Sequence, residues 1–328
     1  AVAALERGSP SLRRRPSVLH RTFSPITAGG LRQSTITLVQ TSLGGGVLAL
    51  AYAVRLAGVG VGLALMLFTA LVAFLGMDIV MRGAIKLEAY STANLLKKCV
   101  GDWSGPAMDV LLAVYGNGSM IAYFILLGDF LPAACRDLGL LPPPALASAP
   151  QPLDIGPSLR TRCILASLIV IVPLSIPRKL SALRYATPVA LVSITCTSAT
   201  VIAKAPGLFM EHLGRPGFGG VGWASFDSGF FKAFSILLFA YNCHINVVPV
   251  AAEMVSPSDG RITRVALRCV LVEVLAYGLI SLGGYLSFLE ATAPNIMSNY
   301  ESGAAITVCR LLLSCTVLVG IPTVNNPT

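Results

Sequence analysis

The chain has 328 residues, 55% of them hydrophobic and only 12% charged, with a formal net charge of +9. Soluble domains are about 45–50% apolar and about 25% charged, so these figures exclude a soluble enzyme, a disordered chain and a nucleic-acid-binding domain. At roughly 20 apolar residues per crossing, the apolar content supplies about eight membrane spans joined by short connections.

Residues 1–35 are rich in Arg, Ser and Pro, with Arg13, Arg14 and Arg15 in a row and Glu6 as the only acid. No short apolar run with a small-residue cleavage site follows, so this is not a cleavable signal peptide. It reads as a basic, disordered cytoplasmic tail; the same composition also suits a mitochondrial presequence. Eight apolar runs follow, near 36–57, 59–81, 106–132, 161–177, 182–203, 230–251, 265–289 and 304–322, and residues 323–328 form a cut end. The fourth run is short, holds Pro173 and ends at Pro177, which predicts a tilted or kinked span.

Loop charges support this count. With the N-terminus inside, the inner segments carry sixteen Lys and Arg, including Arg82, Lys86, Lys97, Lys98, Arg178, Lys179, Arg184, Arg261, Arg264 and Arg268. The outer segments carry eight: Arg55, Arg136, Arg160, Arg162, Lys204, Arg215, Lys232 and Arg310. Eight spans with both ends cytoplasmic therefore obey the positive-inside rule. The basic balance belongs to membrane orientation rather than to phosphate binding, so no nucleic-acid partner is expected.

Residues 86–104 read as an amphipathic surface helix, with Leu87, Leu95, Leu96 and Val100 opposing Lys97 and Lys98. Among the outer loops, 133–160 holds Pro142-Pro143-Pro144, and 206–229 holds several Gly and one Trp. The eight cysteines show no CxxC pair and no Cys/His cluster at ligand spacing, so no zinc site or other cofactor is expected. Cys135 and Cys163 fall on the same outer side and could pair.

Two spans are poor helices at their centres. The first reads Gln40-Thr41-Ser42-Leu43-Gly44-Gly45-Gly46-Val47. Each glycine costs about 1 kcal/mol against Ala in a helix, and three together predict an unwound turn. Unwound backbone at membrane depth is tolerated only where it lines a cavity or binds something. The half-helix starting near Gly46 would aim N–H groups and a positive dipole end at an anion such as a carboxylate. The sixth span reads Phe239-Ala240-Tyr241-Asn242-Cys243-His244-Ile245-Asn246-Val247-Val248-Pro249, with polar residues and a proline inside an apolar run. Such groups mark pathways or sites; His244 alone could equally be a satisfied core histidine. Broken spans one and six are five apart, the spacing of an inverted repeat of five-span units, in which substrate binds between two discontinuous helices. No channel filter is evident. Ser42 and His244 could pose as a nucleophile and base, but no GxSxG or HExxH motif accompanies them, so the chain is not read as an enzyme.

These same residues resemble the amino acid/auxin permease superfamily, close to its sodium-coupled neutral (system A and N) branch and to vacuolar amino acid transporters. Leu43-Gly44-Gly45-Gly46-Val47-Leu48-Ala49-Leu50-Ala51-Tyr52-Ala53 is similar to the family's G-S-G-I-L-G-L-x-Y-A. Gly118-Ser119-Met120-Ile121-Ala122-Tyr123, with Leu131-Pro132, is similar to G-x-M-x-x-Y…L-P. Phe239-Ala240-Tyr241-Asn242-Cys243-His244, with Pro249, Glu253 and Ser256-Pro257-Ser258, is similar to F-A-F/Y-x-C-H-x-x-x-x-P-I-x-x-E-L followed by S-P-S. Gly284-Tyr285-Leu286-Ser287-Phe288 matches G-Y-L-T-F, and the resemblance covers about residues 34–322. It implies an all-α polytopic membrane protein of LeuT-like inverted-repeat architecture, incomplete at about eight of the family's eleven spans. A chain lacking the last spans is not expected to transport alone.

The resemblance also implies a function. The expected activity is secondary active transport of an amino acid, coupled to a proton or sodium gradient. Substrate-binding residues are Thr41, Ser42, Gly44, Gly45, Gly46, Tyr241, Asn242 and Cys243; coupling-ion residues are Gln40, His244 and Asn246. Sodium-coupled members carry Asn at the position of Gln40 and Thr before the Val-Pro that here reads Gly320-Ile321-Pro322, so sodium coupling is doubtful. Asn246 looks like the vacuolar C-H-Q-N type, which implies protons. No acidic residue sits at either break, which favours a neutral amino acid. The lipid bilayer, of the plasma membrane or a vacuolar or lysosomal membrane, is the other partner, and the sequence sets no oligomeric state. The alternative is a non-transporting amino acid sensor or an inactive fragment of such a transporter.

Overall fold

The computed structural model describes residues 29–141, 157–175 and 186–325. Among them there is no strand. In chain order the helices are α1 (Leu31–Ser42), α2 (Leu50–Ala57), α3 (Val59–Lys86), α4 (Thr92–Val100), α5 (Ser104–Asp137), α6 (Pro157–Ser175), α7 (Ala186–His212), α8 (Ser228–Ala240), α9 (Val247–Ala252), α10 (Asp259–Phe288) and α11 (Ala304–Asn325). Residues 1–28, Pro142-Pro143-Pro144, the loop with Arg178, Lys179 and Arg184, and the final 326–328 lie outside the described residues.

Among the described residues, five runs are long and apolar enough to cross a membrane: Val59–Lys86, Ser104–Asp137, Val189–His212, Ser228–Ala252 and Asp259–Ala291. A sixth is the bent pair Leu31–Ser42 and Gly46–Ala57. Exposed apolar side chains such as Leu67, Leu71, Leu75, Leu271, Leu275 and Leu279 form outward faces on α3 and α10. In water these would be liabilities; in lipid they are the solvated surface. The chain is an all-helical, multi-pass membrane protein.

Some boundaries differ from expectation. Helix α1 begins at Leu31, inside the segment read as a tail; within this polar first turn the Thr35 hydroxyl donates back to the Leu31 carbonyl (2.8 Å). The surface helix is shorter than 86–104. Helix α4 covers Thr92–Val100, capped by the Ser91 hydroxyl, and buries Leu95 while Val100 stays exposed. Arg310 is not a loop residue; it lies in α11 and is 1% exposed. Cys135 and Cys163 are both free thiols.

Helix α10 is the centre of the packing. Its buried residues Ile262, Val265, Ala266, Cys269, Glu273, Tyr277, Ile280, Gly284 and Phe288 recur at three- and four-residue spacing, the stripe of a helix with one inward face. That face packs on α1, α2, α3 and α7. Helix α3 in turn packs on α2, α8 and α9. Each broken span is thus held by the unbroken helix that follows the other, the reciprocity expected of an inverted repeat. At the junction of α2 and α3, Gly58 has φ +81°, and a Cβ there would lie 2.6 Å from the backbone at Trp223 and Ala224. The loop carrying Trp223 hydrogen-bonds to this junction through Val59, Gly60 and Ala57, which ties that loop to span one.

Candidate functional site

Both breaks form where the sequence withdraws helix-forming residues. Helix α1 ends at Ser42; Leu43 departs from helical geometry, Gly44 is extended (φ −96°, ψ −161°), and a 3-10 turn over Gly45–Ala49 leads into α2. The two halves are bent by 55°. Helix α8 ends at Ala240, Tyr241–Cys243 leave the helix, and a 3-10 turn over His244–Asn246 precedes α9. Pro249 falls in the first turn of α9, where its missing N–H leaves no helix bond unmade.

The breaks meet. Asn246 Nδ2 donates to Thr41 Oγ1 at 3.0 Å. The Tyr277 hydroxyl of α10 lies 2.9 Å from the Ser42 carbonyl and 2.8 Å from the Ala240 carbonyl. Those are the carbonyls left open at the ends of α1 and α8, the groups a helix terminus must satisfy elsewhere. One phenol therefore stands between both broken helices, with a single proton to donate to either carbonyl. The Ser42 hydroxyl contacts a carboxylate oxygen of Glu273, and it also contacts the Val39 carbonyl. Cys269 Sγ donates to the same Glu273 oxygen at 3.2 Å.

The expected site residues are distributed as follows. Thr41 and Asn246 join the two breaks, and Gln40 lies half-buried in the last turn of α1. The Ser42 carbonyl, expected to face an ammonium group, already accepts from Tyr277 and from the Gly44 N–H (2.7 Å). Gly44 borders a small pocket with Val47, Leu48, Ile194, Thr197, Ser198, Ile280 and Leu313. Gly45 opens the 3-10 turn. A Cβ on Gly46 would lie 3.2 Å from Phe239 Cδ1, so this glycine lets span one close onto span six. Tyr241 is 2% exposed and its hydroxyl has no partner among the described residues. Asn242 is half-buried, and Cys243 is fully buried with its thiol 3.3 Å from Met77 Sδ. His244 turns away toward α3. It hydrogen-bonds the Ala73 backbone, and its Nε2 fills the space over Gly76, 2.7 Å from where a Cβ would sit.

Glu273 and Tyr277 were missed in the sequence. The statement that no acidic residue sits at either break is corrected: none belongs to the broken spans, but Glu273 reaches them from α10. It is 0% exposed, and its Oε2 has no partner among the described residues. Its signal was readable, since it is the only acid in the apolar run 265–289. Ligand atoms of Cys243, Cys269 and Glu273 lie within 4.8 Å of one another, close enough for a metal ion to bridge. The contacts present are a thiol on a thioether and a thiol on a carboxylate, which leave the three groups paired with neighbours rather than splayed around a vacant centre.

Two discontinuous helices tied together within a multi-pass bundle define the class as a polytopic membrane protein built around two broken spans. The comparisons give the family. Residues 27–328 match the family described as transmembrane amino acid transporter protein, and the chain belongs to it, within the amino acid/auxin permease superfamily. It is 34% identical to a Toxoplasma gondii protein named amino acid transporter AAT1, over 100% of this chain and 43% of the relative. Vacuolar amino acid transporters 7 and 5 of Saccharomyces cerevisiae are each 26% identical over 90% of this chain, covering 57% and 65% of those proteins. The chain spans about half the length of the curated relatives it matches.

Proposed function

We propose that this protein acts in secondary active transport of a neutral amino acid, driven by protons, in a vacuole-type membrane with its N-terminus in the cytoplasm. The observation that carries this is the pair of helix breaks joined by Asn246, Thr41 and Tyr277. Backbone released from helical bonding inside a membrane is tolerated where it faces a site, and here two such stretches sit side by side. Substrate would lie against Gly44–Gly46 and the Tyr241–Cys243 turn; beside Gly44, the gap that Val47 and Leu48 share with α7 and α11 has a volume of about 10 Å³, room for a single water, and would widen to admit substrate.

Neutral specificity is supported by that lining, which offers aliphatic side chains with the Thr197 and Ser198 hydroxyls. Glu273 is two helical turns from Ile280 along α10, about 10 Å, and is held by Ser42 and Cys269. Proton rather than sodium coupling is supported by Gln40 and Gly320 standing where sodium-coupled relatives of this family carry Asn and Thr. The vacuolar assignment rests on the likeness to the yeast vacuolar amino acid transporters.

The test is uptake by the full protein in liposomes under an imposed pH gradient, with sodium replaced by choline. Neutral amino acid should accumulate with the proton gradient, equally in choline and sodium. Uptake that disappears in choline would overturn proton coupling, and absence of any amino acid uptake or exchange would overturn transport itself.

A further inference from the structure

We propose that Glu273, rather than His244, carries the coupling proton, and that Ser42 transmits its protonation to the break in span one. This rests on the transport reading above and names the group through which that site would be driven.

The first argument is the carboxyl's situation. Glu273 is fully buried on the inward face of α10, with Oε2 unpartnered among the described residues. The groups facing it are Ser42 from α1, Cys269 and Tyr277 from its own helix, and Tyr241 and Cys243 from the turn in span six. None of these is a cation. On α3, Met77 stands behind Cys243, while Asp78 and Arg82 pair with each other and with Thr263 and Asp259 near the start of α10. An ionised carboxylate buried without a cation is costly by several kcal/mol. Glu273 therefore holds a proton while the breaks are packed as here, and releases it when the breaks separate and water arrives.

The second argument is proton counting. Ser42 Oγ lies within hydrogen-bond range of both the Val39 carbonyl (2.9 Å) and Glu273 Oε1. A hydroxyl has one proton and donates once. With Glu273 protonated, its O–H donates to Ser42 Oγ, and Ser42 donates to Val39. With Glu273 ionised, Ser42 turns to donate to the carboxylate and leaves the Val39 carbonyl to the Leu43 N–H alone (2.9 Å). Protonation thus adds or removes one hydrogen bond at the last turn of α1, next to the extended Gly44. No bond other than O–H is made or broken, and the proton comes from and returns to water on the two sides of the membrane. His244 has no comparable link: it packs against Gly76 and the Ala73 backbone, away from both half-helix ends.

The experiment reads three quantities on the full protein in liposomes: amino acid exchange at equal pH, proton-driven accumulation, and the infrared C=O band of a protonated carboxylic acid as pH is varied. Glu273→Gln should lose accumulation at least tenfold more than exchange and lose one titrating carboxyl band. His244→Gln should keep the ratio of accumulation to exchange. Ser42→Ala removes the donor that favours the ionised form, so the carboxyl band should titrate at higher pH than in the wild type. Glu273→Gln with an unchanged accumulation-to-exchange ratio would overturn the proposal, as would its losing only cationic substrates, or stoichiometric metal in the wild type that is lost in the variant. If Glu273→Gln fails to fold, a Ser42→Ala band that titrates with the wild type overturns it instead. Failure of the transport reading is separate, since it would show as no exchange in the wild type while the carboxyl band remains measurable.

Discussion

Asp137 and Glu273 are both carboxylates removed from solvent, with side-chain exposure of 3% and total exposure of 0%. They resolve that burial in opposite ways. Asp137, at the end of α5, receives Arg310 at 2.8 Å and Thr307 at 3.0 Å, with Ser302 as a further donor. Arg310 is itself completed by the Met297 and Tyr300 carbonyls. Nearby Tyr300 is a neutral phenol whose pKa burial pushes up to about 12, the Ser287 hydroxyl drawing slightly the other way. This corner has a charge for a charge and a donor for nearly every acceptor. Glu273 has a hydroxyl, a thiol and one empty oxygen. The first arrangement fixes α5, α11 and the segment between α10 and α11 in one geometry. The second leaves a proton free to come and go, at the place where two helices are broken.

The comparison is broken most strongly at Arg310. Arg310→Met leaves Asp137 buried and unpaired, and should cost about 3–5 kcal/mol, measured by thermal unfolding in detergent. Adding Asp137→Leu should recover most of that loss, because no charge is then stranded. A double variant as unstable as the single one would show that packing, not charge, governs the corner.

A smaller effect is expected at Tyr277. Tyr277→Phe removes the phenol whose single proton lies between the Ser42 and Ala240 carbonyls, for about 1–3 kcal/mol. Because one phenol stands between both breaks, proteolytic or hydrogen-exchange protection should fall in α1 and α8 together. Loss confined to one of them would contradict the bridging role. Gly46→Val should act on the same contact by crowding, since its Cβ would already sit 3.2 Å from Phe239. Overpacking of this kind costs about 1–3 kcal/mol, and substrate affinity should drop while membrane insertion persists. Unchanged affinity in a correctly inserted Gly46→Val protein would remove span one from the site.

The smallest stability effect should belong to Glu273. Glu273→Gln strands no cation, so it should shift stability by less than about 1 kcal/mol, against several for Arg310→Met. An equal loss in the two variants would mean that Glu273 is structural in the same sense as Asp137.

Membrane class, the two interrupted spans and the family resemblance were all legible in the residues. Hydropathy over about 20 residues is a property of a local stretch, and so is the inability of Gly44-Gly45-Gly46 or of Asn242–Asn246 to continue as apolar helix. The start of α1, Leu31–Thr35, was less visible, because tertiary packing on α10 stabilises a polar stretch that hydropathy alone leaves in the tail.

What the sequence could not decide was which distant side chains complete the breaks. Thr41 meets Asn246 across 205 positions, and Ser42 meets Glu273 across 231. Glu273 could be seen as an isolated acid in an apolar run, and Arg310 as a charge near a loop. Their difference arises only because α10 turns Glu273 toward two helix ends with no cation beside it, whereas α11 turns Arg310 onto Asp137. The identity of a buried charge is written in the sequence; its partner is set by helix rotation and crossing, which depend on the packing of the whole bundle.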